Sequence, residues 1–181
     1  MGARKPIRFG GMADGSWLSG RRRESWLSYL GAHTLVERVV ERHLHDNAGV
    51  SHAEYEILSR LRAAGGRLRM GELASVVFSP GSRLNYRVTR LAGLGLVRRE
   101  QHPVDRRGLY AVLTPEGTRF LDQVQPGYAE AARRAVGALT EEEFLELGRL
   151  SEKVFRALCD DSRSEVADSG AEGSGGQPGE H

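Results

Sequence analysis

An arginine-rich stretch with no acidic residue, 82–95, holds the side chains best suited to chemistry in this 181-residue chain. Arg83, Arg87 and Arg90 carry planar forks of donors that fit guanine edges and phosphate oxygens. Asn85 has the amide geometry that pairs with adenine, and Ser82 and Tyr86 add hydroxyls. Leu84, Val88 and Leu91 recur at i, i+4 and i+7, which predicts a helix that buries this stripe. Arg83, Tyr86, Arg87 and Arg90 then share the opposite face, with Asn85 at its border. Most surface helices mix charge signs, and this one does not. A second cluster, Asp105-Arg106-Arg107-Gly108, lies between two strand-like runs. An arginine at such a tip fits the negative potential of a minor groove, and Asp105 is placed to hold it by a charge-assisted hydrogen bond. The same residues also suit an ordinary hairpin turn, and both readings hold together.

The elements needed to position these clusters are legible around them. A short helix at about 70–78 (Leu73, Val76, Val77) is followed by Ser79-Pro80-Gly81 and then by a helix capped at Ser82 and ended by Gly95. Strands follow at about Val97–Gln101 and Leu109–Leu113. Helix, turn, helix and β-ribbon is the layout of a winged helix-turn-helix. Three longer helices surround this segment, besides one that opens on a capping box at Ser51 and Glu54. The first runs over 22–45. Thr114-Pro115-Glu116 opens the fifth, which carries Phe120, Leu121, Val124, Tyr128, Ala131, Ala135 and Leu139. Thr140 with Glu143 opens the sixth, lined by Leu147, Leu150, Val154 and Leu158. The expected class is mainly α with a small β-wing (α+β), with six helices. The apolar stripes at both ends exceed what one winged helix covers, which points to a symmetric dimer and a palindromic DNA partner.

Charge agrees. The whole chain is close to neutral at +2, but residues 60–113 hold eleven arginines against Glu72, Glu100 and Asp105, a net +8. Residues 114–181 carry −7. A local cationic surface is the footprint of a polyanion binder. Residues 1–20 are expected to be flexible, and 160–181, acidic and rich in Gly and Ser, to be disordered. The domain then spans 21–159, with the winged core at about 51–113 and dimerisation helices at about 22–45 and 115–158. No run is long and apolar enough for a membrane span or a leader, and Cys159 is the one cysteine, so a cytoplasmic bacterial protein is expected. Twenty-four of the 26 basic residues are arginine, which fits a GC-rich genome.

The segment ELASVVFSPGSRLNYRVTRLAGLGLVRREQHPVDRRGLYAVLTPEG resembles the DNA-binding lobe of the MarR (multiple antibiotic resistance regulator) family. The family's wing signature, Asp-x-Arg followed by a strand and Leu-Thr, stands here as Asp105-Arg106-Arg107 and Leu113-Thr114. The resemblance covers about residues 22–158 and fits an actinobacterial source. It implies a homodimeric winged-helix transcription factor, usually a repressor, that binds an inverted repeat in double-stranded DNA. By the same match Arg107 is the minor-groove residue, Asp105 its support, and the recognition helix falls on 82–94. Its Arg- and Tyr-rich start departs from the family pattern. Many members release DNA on binding a small aromatic ligand. Trp26, Tyr29 and His33 of the first helix are the residues that could line such a site, although packing within the dimer core accounts for them better.

Other functions find less support. His33, His43, His45 and Asp46 lie close in sequence, but His43 and His45 are two apart on a helix and point to different faces, so no metal is expected. No cofactor fingerprint, P-loop or nucleophile elbow is present, and no enzymatic activity is expected. The different-class alternative is a dimeric winged-helix module that binds protein without specific DNA binding. The acid-free face of the fourth helix argues against it.

Overall fold

Capping side chains at Ser51, Thr114 and Thr140 fix where the helices that follow them begin. The computed structural model describes residues 18–101 and 108–171, with side chains as far as residue 159. The elements are α1 (Gly20–Ala48), α2 (His52–Ala63), β1 (Arg67–Arg69), α3 (Met70–Val76), α4 (Gly81–Gly93), β2 (Val97–Gln101), β3 (Leu109–Leu113), α5 (Pro115–Ala135) and α6 (Glu141–Ala171). At α2 the Ser51 side chain accepts from the Glu54 backbone N–H, and the Ser51 N–H donates to Glu54 Oε2 at 2.9 Å, closing a capping box. A second box opens α6, where the Thr140 N–H donates to Glu143 Oε2 at 2.9 Å and the Glu143 N–H to Thr140 Oγ1 at 3.3 Å.

The winged helix-turn-helix expected from the sequence is the observed fold, with corrections to single elements. The sheet has three strands in the order β1-β3-β2, all antiparallel, and β1 was not anticipated. Two of its three residues are arginine, so it shows no apolar alternation. It is a strand because β3 offers a free edge, on which Leu68 pairs with Ala111. The second correction concerns 160–171, expected to be disordered, where the backbone continues α6 to Ala171. A helix already nucleated propagates through Glu, Val and Ala without needing an apolar face of its own. Residues 1–17, 102–107 and 172–181, and with them most of the expected flexible extension, the wing tip and the end of the tail, lie outside the described residues.

The core gathers Leu44, Ile57, Leu58, Leu61, Leu73, Leu84, Val88, Leu91, Val97, Ala111 and Leu121, all fully buried or nearly so. The described residues up to Ala135 form one unit and those from Val136, which contain α6, another. Within the first, α5 starts on the turn that follows α4. The Thr114 hydroxyl donates to the Gly95 carbonyl at 2.7 Å and accepts from the Gly117 N–H at 3.0 Å. A Cβ on Gly117 would lie 2.2 Å from the Leu96 carbonyl oxygen, so only glycine fits this joint. Further along α5, His43 of α1 packs against Gly127, where a Cβ would lie 2.7 Å from Nε2. The helix ends at Ala135, earlier than the run to Leu139 had suggested, because 136–139 form a turn before the Thr140 cap.

The apolar stripe of α1 is covered unevenly. Val40 and Leu44 are 3% and 0% exposed, whereas Leu27 and Leu35 are 55% and 58% exposed. Trp26, Tyr29 and Leu30 are also exposed. In α6, Phe144, Leu147, Leu150, Val154, Phe155 and Leu158 remain exposed. Among the described residues no helix is long and apolar enough to cross a membrane.

Candidate nucleic-acid interface

Leu84, Val88 and Leu91 are buried, as their spacing predicts, and this rotates α4 so that its polar residues face away from the core. The helix starts one residue before the expected cap. Pro80, with φ −53° and ψ 140°, is the N-cap residue, and Ser82 sits inside the first turn. No side chain caps α4 and its first turn holds no acid, in contrast with α2 and α6. Its leading backbone N–H groups are therefore oriented for a phosphate. The turn into α4 holds Phe78 at φ +48°, a left-handed conformation that a non-glycine residue adopts only when its surroundings impose it.

The arginines of this region divide into two groups. Arg83 is exposed, and Tyr86 is 72% exposed. Others fix the helix in place. Arg87 donates to Ser79 Oγ at 3.1 Å and so braces the turn. Arg99 of β2 donates to the Asn85 carbonyl at 2.9 Å, and its contact with Asn85 Oδ1 is 3.4 Å, which ties the wing to the helix. Arg90 forms an ion pair with the buried Glu54 and donates to the Gly49 carbonyl at 2.9 Å. The Glu54 hydrogen bond, and then its charge, hold the Arg90 guanidinium even more firmly protonated than usual. Arg90 was expected beside Arg83 on the outward face, but its guanidinium is turned toward the α1–α2 junction because the Glu54 carboxylate there needs a partner. Arg99 was missed as a site residue. The sequence signal was its place in the basic segment, but nothing local indicated its bond to α4.

Across the sheet, the Arg67 guanidinium lies 3.9 Å from the centre of the Tyr110 ring and 3.4 Å from Glu100 Oε2. An open cleft of about 650 Å³ separates the start of α3 from the base of the wing, with Arg69 and Glu72 on one side and Asn85 and Gly108 on the others. Asp105, Arg106 and Arg107 lie outside the described residues. Trp26 and Tyr29 stack at 5.9 Å on the uncovered half of α1, and His33 is exposed on the same half. His43 and His45 do point apart, His43 toward α5 and His45 to Asp46, at 3.1 Å.

The comparisons with known proteins follow this geometry. Residues 48–108 match the model of the MarR family. The crystal structure of Sco3205, a MarR family transcriptional regulator from Streptomyces coelicolor in complex with DNA, is 40% identical. It superposes with a TM-score of 0.75 over 78% of this chain and 94% of that one. The transcriptional regulator YkoM of Bacillus subtilis is 30% identical over 95 residues, 52% of this chain and 61% of that protein, so the match spans less than two thirds of its length. The transcriptional repressor MdtR of the same species is 27% identical over 121 residues, 67% of this chain and 77% of that one. An apolar face that orients α4, a cationic surface beside a β-ribbon, and a 40% identical relative of the same architecture lead to one conclusion. The chain belongs to the MarR family of DNA-binding transcriptional regulators.

Proposed function

We propose that this protein is a cytoplasmic, homodimeric repressor that binds an inverted repeat, each protomer placing α4 in a major groove. The observation that carries this reading is the acid-free outward face of α4 with Arg83 and Tyr86 exposed. Arg83 and Tyr86 are the residues for base edges and nearby phosphates, and Asn85 and Arg87 join them by exchanging their bonds to Arg99 and Ser79 for DNA. Ser82 and the uncapped helix start are suited to backbone phosphate. Asp105, Arg106 and Arg107 are assigned to the minor groove, with Asp105 clamping Arg107. Dimerisation is supported by the uncovered apolar residues of α1 and, separately, of α6. Repression is supported by the likeness to MdtR. The stacked Trp26 and Tyr29, with His33, are the place for a small aromatic effector.

The test is sequencing of DNA fragments selected by the purified protein, together with light scattering. The expected outcome is a dimer and a palindrome whose half-sites lie about one helical turn apart. A monomer at micromolar concentration, or no enrichment of any sequence, rejects the reading. In the wing, Arg107→Ala and Asp105→Ala should be non-additive in operator binding, coupled by about 0.5–3 kcal/mol.

A further inference from the structure

The buried residue Glu54 links two tasks that sequence keeps 36 positions apart. It is 3% exposed and closes the capping box of α2, accepting from the Ser51 N–H at 2.9 Å and the Ser51 hydroxyl at 3.0 Å. The same Oε2 receives Arg90 from the last turns of α4. The second arm of that guanidinium donates to the carbonyl of Gly49, the residue that ends α1. One planar fork therefore touches α4, the N-terminus of α2 and the C-terminus of α1. A buried carboxylate is costly to leave without a cation, and a bidentate guanidinium sets angle as well as distance. Leu84, Val88 and Leu91 fix which face of α4 is inward, yet apolar contacts are non-directional and leave rotation and slide about that face weakly defined.

We propose that Arg90 and Glu54 are positioning residues that set the angle of the recognition helix relative to α1, and that Arg90 does not read a base. This rests on the reading that α4 docks in the major groove. Selectivity requires several donors to meet base edges together, so a small rotation of α4 degrades every base contact at once. Phosphate contacts, being less directional, survive it. Glu54 is too deeply buried to touch DNA, so any effect of changing it on sequence preference is indirect, and the double variant separates a path through Arg90 from one through the α2 cap.

The experiment measures full base-preference profiles and affinities for the selected operator and for a random duplex of equal length. The proteins are the full-length wild type, Glu54→Gln, Arg90→Gln and the double variant. Gln keeps an oxygen for the Ser51 N–H and loses the charge that holds Arg90. The expected result is a fall of about tenfold in operator-over-random preference in both single variants, with all half-site positions flattened together. Random-duplex affinity should stay within about twofold, and the double variant should lose little more than either single one. Loss of preference at one base pair in Arg90→Gln, with Glu54→Gln unchanged, overturns the proposal in favour of base reading, and so do unchanged profiles in both. Melting curves accompany each variant. If Gln at position 54 prevents folding, Arg90→Lys serves instead. It retains the charge but replaces the planar two-armed fork with a single nitrogen, so it should flatten the profile partway, and a wild-type profile overturns the clamp. A wild type that enriches no sequence rejects the proposed function itself, and this inference falls with it. A selective wild type with selective variants rejects the inference alone.

Discussion

The two halves of α1 carry apolar residues at the same helical spacing and meet opposite surroundings. Val40 and Leu44, in the C-terminal half, are buried against α2 and α5. Leu27, Tyr29 and Leu30, in the N-terminal half, and Leu35 at the midpoint are exposed. Periodicity therefore marks a face that is to be covered and says nothing about which chain covers it. The boundary lies near Glu37, whose carboxylate meets His52 Nδ1 at 3.1 Å, while His52 Nε2 lies 3.3 Å from the Tyr128 hydroxyl. With a neutral imidazole, Nδ1–H donates to Glu37 and Nε2 accepts from Tyr128. Burial pushes the pKa of the Tyr128 hydroxyl up, which keeps it a donor.

Leu44→Ala should break the covered half. The expected cost is about 2–5 kcal/mol, read by urea denaturation, because a fully buried leucine leaves a cavity. Leu27→Glu with Leu30→Glu should spare that core and weaken self-association by about 2–4 kcal/mol, since buried charge would replace apolar contact. Analytical ultracentrifugation should then show monomer where the wild type is a dimer. Wild-type association in this variant would mean that no second copy covers this half of α1. Tyr128→Phe tests the boundary itself. Losing the bond to His52 while keeping the ring stack with Tyr55 (4.4 Å) should cost about 1 kcal/mol in melting experiments. The smallest effect is expected from removing residues 172–181, which should change stability by less than about 0.5 kcal/mol. Removing 160–181 also takes away the last turns of α6 and should lower far-ultraviolet helicity measurably.

Legibility followed the range of the interaction. Strands Val97–Gln101 and Leu109–Leu113 and the caps at Ser51, Thr114 and Thr140 could be read because each signal lies within a few residues of its effect. Gly95 could be read as a stop for the same reason. Strand β1 could not, because its partner is β3, more than forty residues away, and its own sequence is Arg-Leu-Arg. The same limit applies to the interface. Composition put arginines on α4, but their division into outward residues and braces depends on Ser79, Glu54 and Gly49, the last two of which lie on another element or its end. Glu54 was read as a cap, which it is, and the cation it also holds comes from a distant turn of chain. Helix at 160–171 was missed because low apolar content argues against a core, and a helix continued from a nucleated one needs none.

The Gly117 joint has a mechanical consequence. With the Thr114 hydroxyl bonded to the Gly95 carbonyl and no space for a side chain at Gly117, the base of α5 cannot slide on the turn that follows α4. It can only pivot. A helix of 21 residues is about 31 Å long, so a tilt of about 5° carries its far end roughly 3 Å while its base barely moves. Run in reverse, a displacement of that size at the far end reaches α4 as a gentle torque. For a rigid rod of this length, a shift of a few ångströms at the far end corresponds to only a few degrees at the base, the scale on which hydrogen bonds to base edges are made or lost.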